Sequence, residues 1–169
     1  QIAKCYPLEI ENPDTVLKFV QNRGVDFVVI GPEAPLVAGV AQSLREAGIT
    51  TFGPDKGAAK LEASKNFTKE LCIEAKAPTA DYAHFTDPYS AKAYIKMHGV
   101  PIVIKADGLA AGKGVVVAFD LNTAINAVDT IFGGEFGHAG AEVVIEEFMD
   151  GEEASLFVLC DGLTALPIG

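Results

Sequence analysis

A glycine-rich segment bounded by lysines is the part of this sequence that looks best suited to chemistry. It runs from Lys105 to Gly114 and reads KADGLAAGKG. Its small residues let backbone N–H groups approach an anion closely, and Lys113 adds a positive charge. It is not a P-loop, because three residues instead of four separate Gly108 from Gly112 and a glycine follows the lysine. Taken alone, the segment fits either a phosphate-binding loop or a plain hairpin connection.

Two further lysines are candidates for binding an anion. Lys105 ends an apolar run and, by strand alternation, shares a face with Val103, which places it to meet an anion in a mostly apolar pocket. The alternative is an edge-strand lysine that reaches water. Lys65 lies between Lys60 and Lys69 on what reads as an ordinary solvated helix, so its local context favours a surface role.

Two adjacent carboxylates, Glu146 and Glu147, end another apolar run. Neighbouring residues on a strand point to opposite faces, so at least one of the two is expected to have a partner. Adjacent carboxylates do not converge on one atom, and the three histidines lack ligand spacing. A glycosidase pair and a metal site are therefore weak interpretations, and we expect no metal ligand within this chain.

The charge balance limits which partners the chain can bind. Its 169 residues carry 13 Lys and Arg against 23 Asp and Glu, a formal net charge of −10. No overall positive field exists to attract nucleic acid or an anionic membrane, so phosphates must be bound locally. Neither a leader nor a stretch of roughly 20 apolar residues that could span a membrane is present in the sequence.

The cysteines and the two ends of the sequence carry further expectations. Cys5, Cys72 and Cys160 lie among apolar residues without metal spacing, which predicts reduced, buried thiols in a reducing compartment. The sequence opens without Met and stops directly after a strand-like run. We therefore expect an internal piece of a longer protein.

The first part of the chain, residues 1–53, is predicted to be α/β. A helix with proline at its first position runs from Asn12 to Gly24, and a buried strand covers residues 25–30. A rigid turn at residues 31–36 leads to a second helix that ends at Ala47, and residues 49–52 form another strand. This alternation is typical of a doubly wound sheet, whose ligands lie beyond the carboxyl ends of the strands.

The second part, residues 54–169, is predicted to be α+β. A helix with an apolar stripe reaches Ala75, and Asp87-Pro88 begins another that ends at Gly99. The stripe comprises Leu61, Phe67, Leu71 and Cys72. Antiparallel strands are predicted over residues 101–106, 114–119, 142–148 and 154–160, with a helix over residues 121–132.

Taken together, these segments resemble the phosphoribosylamine glycine ligases, or glycinamide ribonucleotide synthetases, of the ATP-grasp superfamily. The motifs are GPEAPL at 31–36, FGP at 52–54, LEASKNFTK at 61–69, PIVIKADGLAAGKGV at 101–115 and VIEEFMDGEEAS at 144–155. Several long motifs in the right order make coincidence implausible. The resemblance implies the end of a doubly wound N-terminal domain followed by part of an ATP-grasp domain with antiparallel strands and a glycine-rich lid.

The resemblance also implies a role for each candidate residue. Lys65 and Lys105 would bind ATP phosphates and act in catalysis. The lid over the phosphates would contain Gly112, Lys113 and Gly114. The remaining ATP contacts would be Glu146 and Glu147 at the adenine amino group, Met149 N–H at a ring nitrogen and Glu153 at the ribose. The apolar walls would be Val103, Val117 and Phe148, and phosphoribosylamine would meet Gly31, Pro32 and Glu33.

The implied reaction belongs to de novo purine biosynthesis. ATP would activate glycine as glycyl phosphate, and 5-phosphoribosylamine would attack it to give glycinamide ribonucleotide, ADP and phosphate. The magnesium ligands would lie beyond Gly169, and a glycine-rich phosphate site would precede Gln1. We therefore expect this chain alone to be inactive. The setting would be cytoplasmic, with an organelle left open, and the oligomeric state cannot be read.

Three alternatives remain open at this point. Another ATP-grasp ligase or carboxylase would share the nucleotide site and differ in the first domain, where residues 31–36 favour the glycine ligase. A nucleotide-binding module without catalysis would keep the same lysines. A dinucleotide-dependent oxidoreductase is the weakest alternative, because the fingerprint glycines are missing.

Overall fold

The structure is a computed structural model that describes residues 2–110 and 114–168. The helices are α1 Pro13–Arg23, α2 Glu33–Ala38, α3 Val40–Glu46, α4 Lys56–Ala63, α5 Lys65–Ala75, α6 Pro88–His98 and α7 Leu121–Thr130. The strands are β1 Phe27–Val29, β2 Thr50–Phe52, β3 Tyr82–Phe85, β4 Ile102–Ala106, β5 Val115–Ala118, β6 Val143–Glu147, β7 Val158–Cys160 and β8 Ala165–Pro167. A π-helix, Ile131–Glu135, and a 3-10 helix, Gly137–Ala141, follow α7.

The first part of the chain is α/β, as the sequence predicts, but the expectation of a buried strand is wrong because Phe27 and Val29 of β1 are exposed. The Asn12 side chain accepts a hydrogen bond from Thr15 N at 3.0 Å to start α1, and Gly24 ends the helix with a φ of 61°. β1 and β2 pair in parallel, with Phe27 opposite Thr50. Helices α1 and α3 pack their apolar sides together through Val16, Val20, Val40 and Leu44.

The turn predicted at residues 31–36 is wrong in part, because α2 begins at Glu33. The helix predicted after it and the helix predicted to reach Ala75 are each interrupted. Gly39, with a φ of 93°, ends α2, and α3 begins directly after it. Ser64 is extended between α4 and α5, and its side chain accepts a hydrogen bond from Phe67 N to start α5. The expected apolar stripe is also wrong in part, because Leu61 and Leu71 are exposed.

The second part is built on a four-stranded antiparallel sheet with the order β3-β6-β4-β5. One face of this sheet is covered by α6 and α7. Its core comprises Ile102, Ile104, Ala106, Val143 and Ile145 from the strands and Ala91, Ile95, Ala124 and Val128 from the helices. The two covering helices begin at aspartates. Hydrogen bonds from Ser90 lower the pKa of Asp87, and those from the Thr123 hydroxyl and N–H lower the pKa of Asp120.

The structure corrects several further expectations. Strand β3 was not predicted, because its YAHF sequence has no apolar run. The strand expected over 154–160 is limited to β7, which pairs with β8 in an exposed hairpin. Cys5 and Cys160 are exposed and Cys72 is half-buried, so the prediction of buried thiols is wrong. Among the described residues, we find no helix with the length and apolarity to cross a membrane.

Candidate functional site

The face of the sheet opposite α6 and α7 carries the predicted lysine and carboxylate. Strand alternation buries Ile104 beneath the helices and turns Lys105 to the other face. The register of β4 and β6 places Val103 opposite Glu146, so Lys105 and Glu146 share that face. Lys105 Nζ donates to Glu146 Oε2 at 2.8 Å. The site therefore contains a partly buried ion pair.

Glu147 points away from this ion pair, as expected for adjacent residues on a strand. Glu146 is only 6% exposed, whereas Glu147 is exposed. Glu147 Oε1 accepts a hydrogen bond from Asp81 N at 3.0 Å, and Glu147 N donates to Asp81 O at 2.9 Å. Glu147 thus holds the segment before β3 at the edge of the sheet.

Lys69 is the second partner of Glu146, and sequence reasoning missed it. Its Nζ lies 3.3 Å from Glu146 Oε2 and donates to Thr79 Oγ1 at 2.8 Å and to Ala80 O at 2.9 Å. The residue is 7% exposed, although its helix read as solvated. The sequence did contain one indication that Lys69 lies near Lys65: the two residues are four positions apart and therefore lie on the same side of α5.

Asp107 joins α5 to the start of the glycine-rich segment. Its carboxylate accepts hydrogen bonds from Lys65 N, from Asn66 N at 3.4 Å and from Ser64 Oγ at 2.9 Å. A carboxylate at this position satisfies free N–H groups of the helix and interacts favourably with its dipole. Lys65 Nζ donates to Gly108 O at 3.0 Å. These contacts fix Lys65 beside the glycine-rich segment.

Two cavities meet at Lys65. One, of about 400 Å³, is lined by Leu61, Glu62, Lys65, Thr68, Lys69, Pro78, Thr79, Ala80, Lys105, Glu146 and Met149. The other, of about 450 Å³, is lined by Glu33, Ala34, Glu62, Lys65, Gly108, Leu109, Ala110, Gly114 and Val115. Both have the size of a small-molecule site. The predicted ATP residues Lys65, Lys105, Glu146 and Met149 thus share one cavity, and Glu33 and Gly114 share the adjoining one.

Other predicted residues lie apart from these two cavities. Gly31 and Pro32 line a separate space of about 140 Å³. Val103 and Val117 pair across β4 and β5 on the open sheet face. Phe148 packs on Phe119, with ring centroids 5.2 Å apart, and Glu153 is exposed in the turn after β6. The predictions for Gly112 and Lys113 lie outside the described residues.

The charges of the first cavity suit a phosphate group. Three lysines, Lys65, Lys69 and Lys105, line it against two carboxylates, Glu62 and Glu146, and Glu146 is shared between two of these lysines. A local excess of positive charge therefore exists in a chain whose net charge is −10. Tyr82 of β3 lies opposite Glu146 of β6, and burial raises its pKa, with a smaller effect from Glu70.

A second cluster of polar side chains lies behind the glycine-rich segment. His84, Asp107 and Glu142 have ligand atoms within 4.8 Å of one another, and His84 Nε2 lies 2.6 Å from Glu142 Oε2. The histidine spacing did not predict this cluster, because it depends on the pairing of β3 with β6. The oxygens of Asp107 already accept hydrogen bonds from α5, which gives the cluster a structural role.

Comparison with known proteins gives one consistent result. Residues 1–62 match the family model described as "Phosphoribosylglycinamide synthetase, N domain", and residues 63–169 match "Phosphoribosylglycinamide synthetase, ATP-grasp (A) domain". A phosphoribosylamine–glycine ligase of Brucella melitensis is 55% identical over 99% of this chain, and one of Escherichia coli is 54% identical over 90%. The chain spans 39% and 36% of these two relatives, respectively.

Solved structures show the same similarity. The phosphoribosylamine–glycine ligase of Thermotoga maritima has a TM-score of 0.70 and 31% identity, covering 82% of this chain and 34% of that protein. The biotin carboxylase domain of the Hydrogenobacter thermophilus 2-oxoglutarate carboxylase, solved with MgADP, has a TM-score of 0.68 at 22% identity. This match covers 88% of the present chain and 34% of the biotin carboxylase chain, and at this identity the likeness concerns the fold alone.

Proposed function

This chain belongs to the phosphoribosylglycinamide synthetase family, and on that premise we propose that it forms the nucleotide site of an ATP-dependent ligase that joins glycine to 5-phosphoribosylamine. The observation that carries the proposal is the cavity in which Lys65 and Lys105 converge beside Glu146. Lys65, Lys105 and Glu146 come from three segments far apart in the sequence. These segments follow one another in the same order as the family motifs that contain them.

In the proposed reaction, the lysines bind and orient the phosphates of ATP. Lys65 and Lys105 neutralise the charge that develops as the γ-phosphoryl group passes to the glycine carboxylate. The amine of 5-phosphoribosylamine then attacks the acyl carbon of glycyl phosphate, and phosphate leaves. The products are glycinamide ribonucleotide, ADP and phosphate.

The proposed adenine end of the site is the carboxyl end of β6. There the backbone at Glu147 and Met149 would pair with the base, and Glu153 would accept from the ribose hydroxyls. Met149 lines the same cavity as the lysines, which supports this direction for the nucleotide. The lid role of Gly112, Lys113 and Gly114 stays a proposal.

The proposed phosphoribosylamine site is the turn at residues 31–33 that leads into α2. Glu33 is the first residue of α2 and lines the cavity that adjoins Lys65, which supports its place near the transferred group. Gly31 and Pro32 would act through the backbone of the same turn. The domain boundary at residue 53 also stays a prediction. Beyond that boundary, Ala59 of α4 packs with Leu36 and Ala41 of the first part.

Magnesium, which the family resemblance implies, would find few free carboxylates among the residues described around this cavity, chiefly Glu62. Glu146 is bound by two lysines, and Asp107 is bound by the N-terminus of α5. We infer that the ion is held by residues outside this chain and shares the phosphate charge with the lysines. The free thiols Cys5, Cys72 and Cys160 support a reducing compartment such as the cytoplasm.

The proposal is tested with the full-length protein that carries this chain. We expect ADP release to require both glycine and 5-phosphoribosylamine, with glycinamide ribonucleotide formed in equal amount. Replacing the two substrates with bicarbonate should abolish ADP release; ADP release with bicarbonate instead would indicate a carboxylase. Binding of ATP without turnover under any of these conditions would indicate a non-catalytic nucleotide module and would contradict the proposal.

A further inference from the structure

Lys69 is a buried cation that the proposed reaction does not use. Its ammonium group lies among three oxygens, on Thr79, Ala80 and Glu146, at 2.8, 2.9 and 3.3 Å. An ammonium group has three N–H donors, so these partners can satisfy all of them. The first two lie in the segment before β3, which anchors the end of the Lys69 side chain independently of Glu146.

The two lysines on Glu146 differ in their freedom to meet a ligand. Both contact the same oxygen, Oε2, but the Lys69 side chain is 9% exposed and that of Lys105 is 26% exposed. Lys69 is fixed by two further oxygens, whereas Lys105 reaches the cavity from a strand. The group that can turn towards a bound phosphate is therefore Lys105.

The charge of this cluster depends on Lys69. With both lysines present, the cluster has one carboxylate and two cations, which leaves one net positive charge. Without Lys69, Glu146 and Lys105 would form a neutral pair, and Lys105 would have to leave its only opposite charge in the cluster to meet a phosphate. Close charge pairs away from bulk water are strongly coupled, so this competition would weaken phosphate binding.

We propose that Lys69 is a positioning residue for phosphate binding: it holds and neutralises the Glu146 carboxylate so that the charge of Lys105 is left for the phosphates of the nucleotide. This inference rests on the proposed function, because it assumes that ATP occupies the cavity. The inference adds Lys69 to the proposed nucleotide site as a residue that acts through Glu146 and touches neither the phosphates nor the reacting atoms.

The test measures phosphate recognition separately from adenine recognition. In the full-length protein, the dissociation constants of ATP and adenosine are measured by titration calorimetry for the wild type, Lys69→Met, Glu146→Gln and the double variant. The ratio of the adenosine constant to the ATP constant reports on the phosphates, because any change in the adenine contact affects both ligands.

We expect Lys69→Met to lower this ratio by about tenfold or more, the scale of a partly desolvated charge pair. The double variant should recover to within about threefold of the wild type, because Glu146→Gln removes the charge that competes for Lys105. If Lys69 only supports packing, Lys69→Met weakens ATP and adenosine in parallel and the second change restores nothing. Either of those two results overturns the proposal.

Failure of Lys69→Met to fold and failure of the wild type to bind ATP have separate consequences. If Lys69→Met does not fold, the double variant with Glu146→Gln is measured in its place, because it contains no carboxylate that has lost its lysine. A ratio of the adenosine constant to the ATP constant that is tenfold below the wild type in the double variant then overturns the proposal. A wild-type protein that binds no ATP rejects the proposed function itself. Normal ATP binding by the wild type together with an unchanged ratio in Lys69→Met rejects only the role of Lys69.

Discussion

Lys105 can be removed from this fold with little loss of stability, because its carboxylate partner keeps a second lysine. Lys69 Nζ lies 3.3 Å from Glu146 Oε2, so the carboxylate would still have a partner after the change. We expect Lys105→Met to lower the free energy of unfolding by no more than about 1.5 kcal/mol, the net contribution of a typical hydrogen bond. We also expect kcat/KM of the full-length enzyme to fall roughly 100-fold or more, since a preorganised electrostatic contact is lost.

The measurement pairs steady-state kinetics with thermal melting of the same variant without nucleotide. Lys96→Met is the matched control, because Lys96 is exposed near the end of α6. The control should match the wild type in both measurements. Near-normal kinetics of Lys105→Met would remove this residue from the site.

At the scale of elements, Gly114, directly before β5, lies so close to Ala106 of β4 and to Ala110 that no side chain fits. A Cβ at this position would lie 2.8 Å from Ala110 Cβ and 2.9 Å from Ala106 Cβ. Both neighbours are methyl groups attached directly to the backbone, so neither can turn aside. We expect Gly114→Ala to lower the free energy of unfolding by about 1–3 kcal/mol, the range of an overpacked core.

Chemical denaturation of the variant gives this value, and Gly57→Ala provides the control. Gly57 lies inside α4, and a Cβ there meets no heavy atom within 4 Å. Because alanine favours a helix over glycine, the control should be stabilised by up to about 1 kcal/mol. Equal free energies of unfolding for Gly114→Ala and the wild type would show that Ala106 and Ala110 can move away from residue 114 without destabilising the fold.

At the scale of the whole molecule, the cavity exists only when distant segments are folded together. Its lining comes from α4, α5, the segment at residues 78–80, β4 and the end of β6. A ligand that binds this cavity therefore binds the folded state alone and raises the melting temperature. At a free concentration of about 100 times Kd, the stabilisation is about 2.7 kcal/mol.

This linkage gives a test of the nucleotide. The proposed pairing uses the carbonyl at Glu147 as acceptor and the N–H at Met149 as donor, which matches adenine, whereas guanine presents the reverse pattern. We expect ATP and ADP to raise the melting temperature of the full-length protein and GTP to raise it much less. Equal shifts with ATP and GTP would contradict the adenine assignment.

The sequence by itself determined those features whose physical causes are local. Asn12, Asp87 and Asp120 each accept an N–H three residues along the chain, so the starts of α1, α6 and α7 could be read from short segments. Strand alternation likewise predicted that Lys105 shares a face with Val103, and the structure has both on the less buried face of β4. The breaks between helices at Gly39 and Ser64 were not predicted, because the local signal for them was weak.

Only the tertiary structure decided which of these groups meet. Lys105 and Glu146 are 41 residues apart and come together through the register of β4 with β6. Asp107 caps a helix 42 residues earlier in the chain, and Lys69 is buried by the segment that leads into β3. Such contacts follow from sheet order and packing between distant segments, and no local periodicity records them. For that reason a lysine that read as solvated became a buried part of the candidate site.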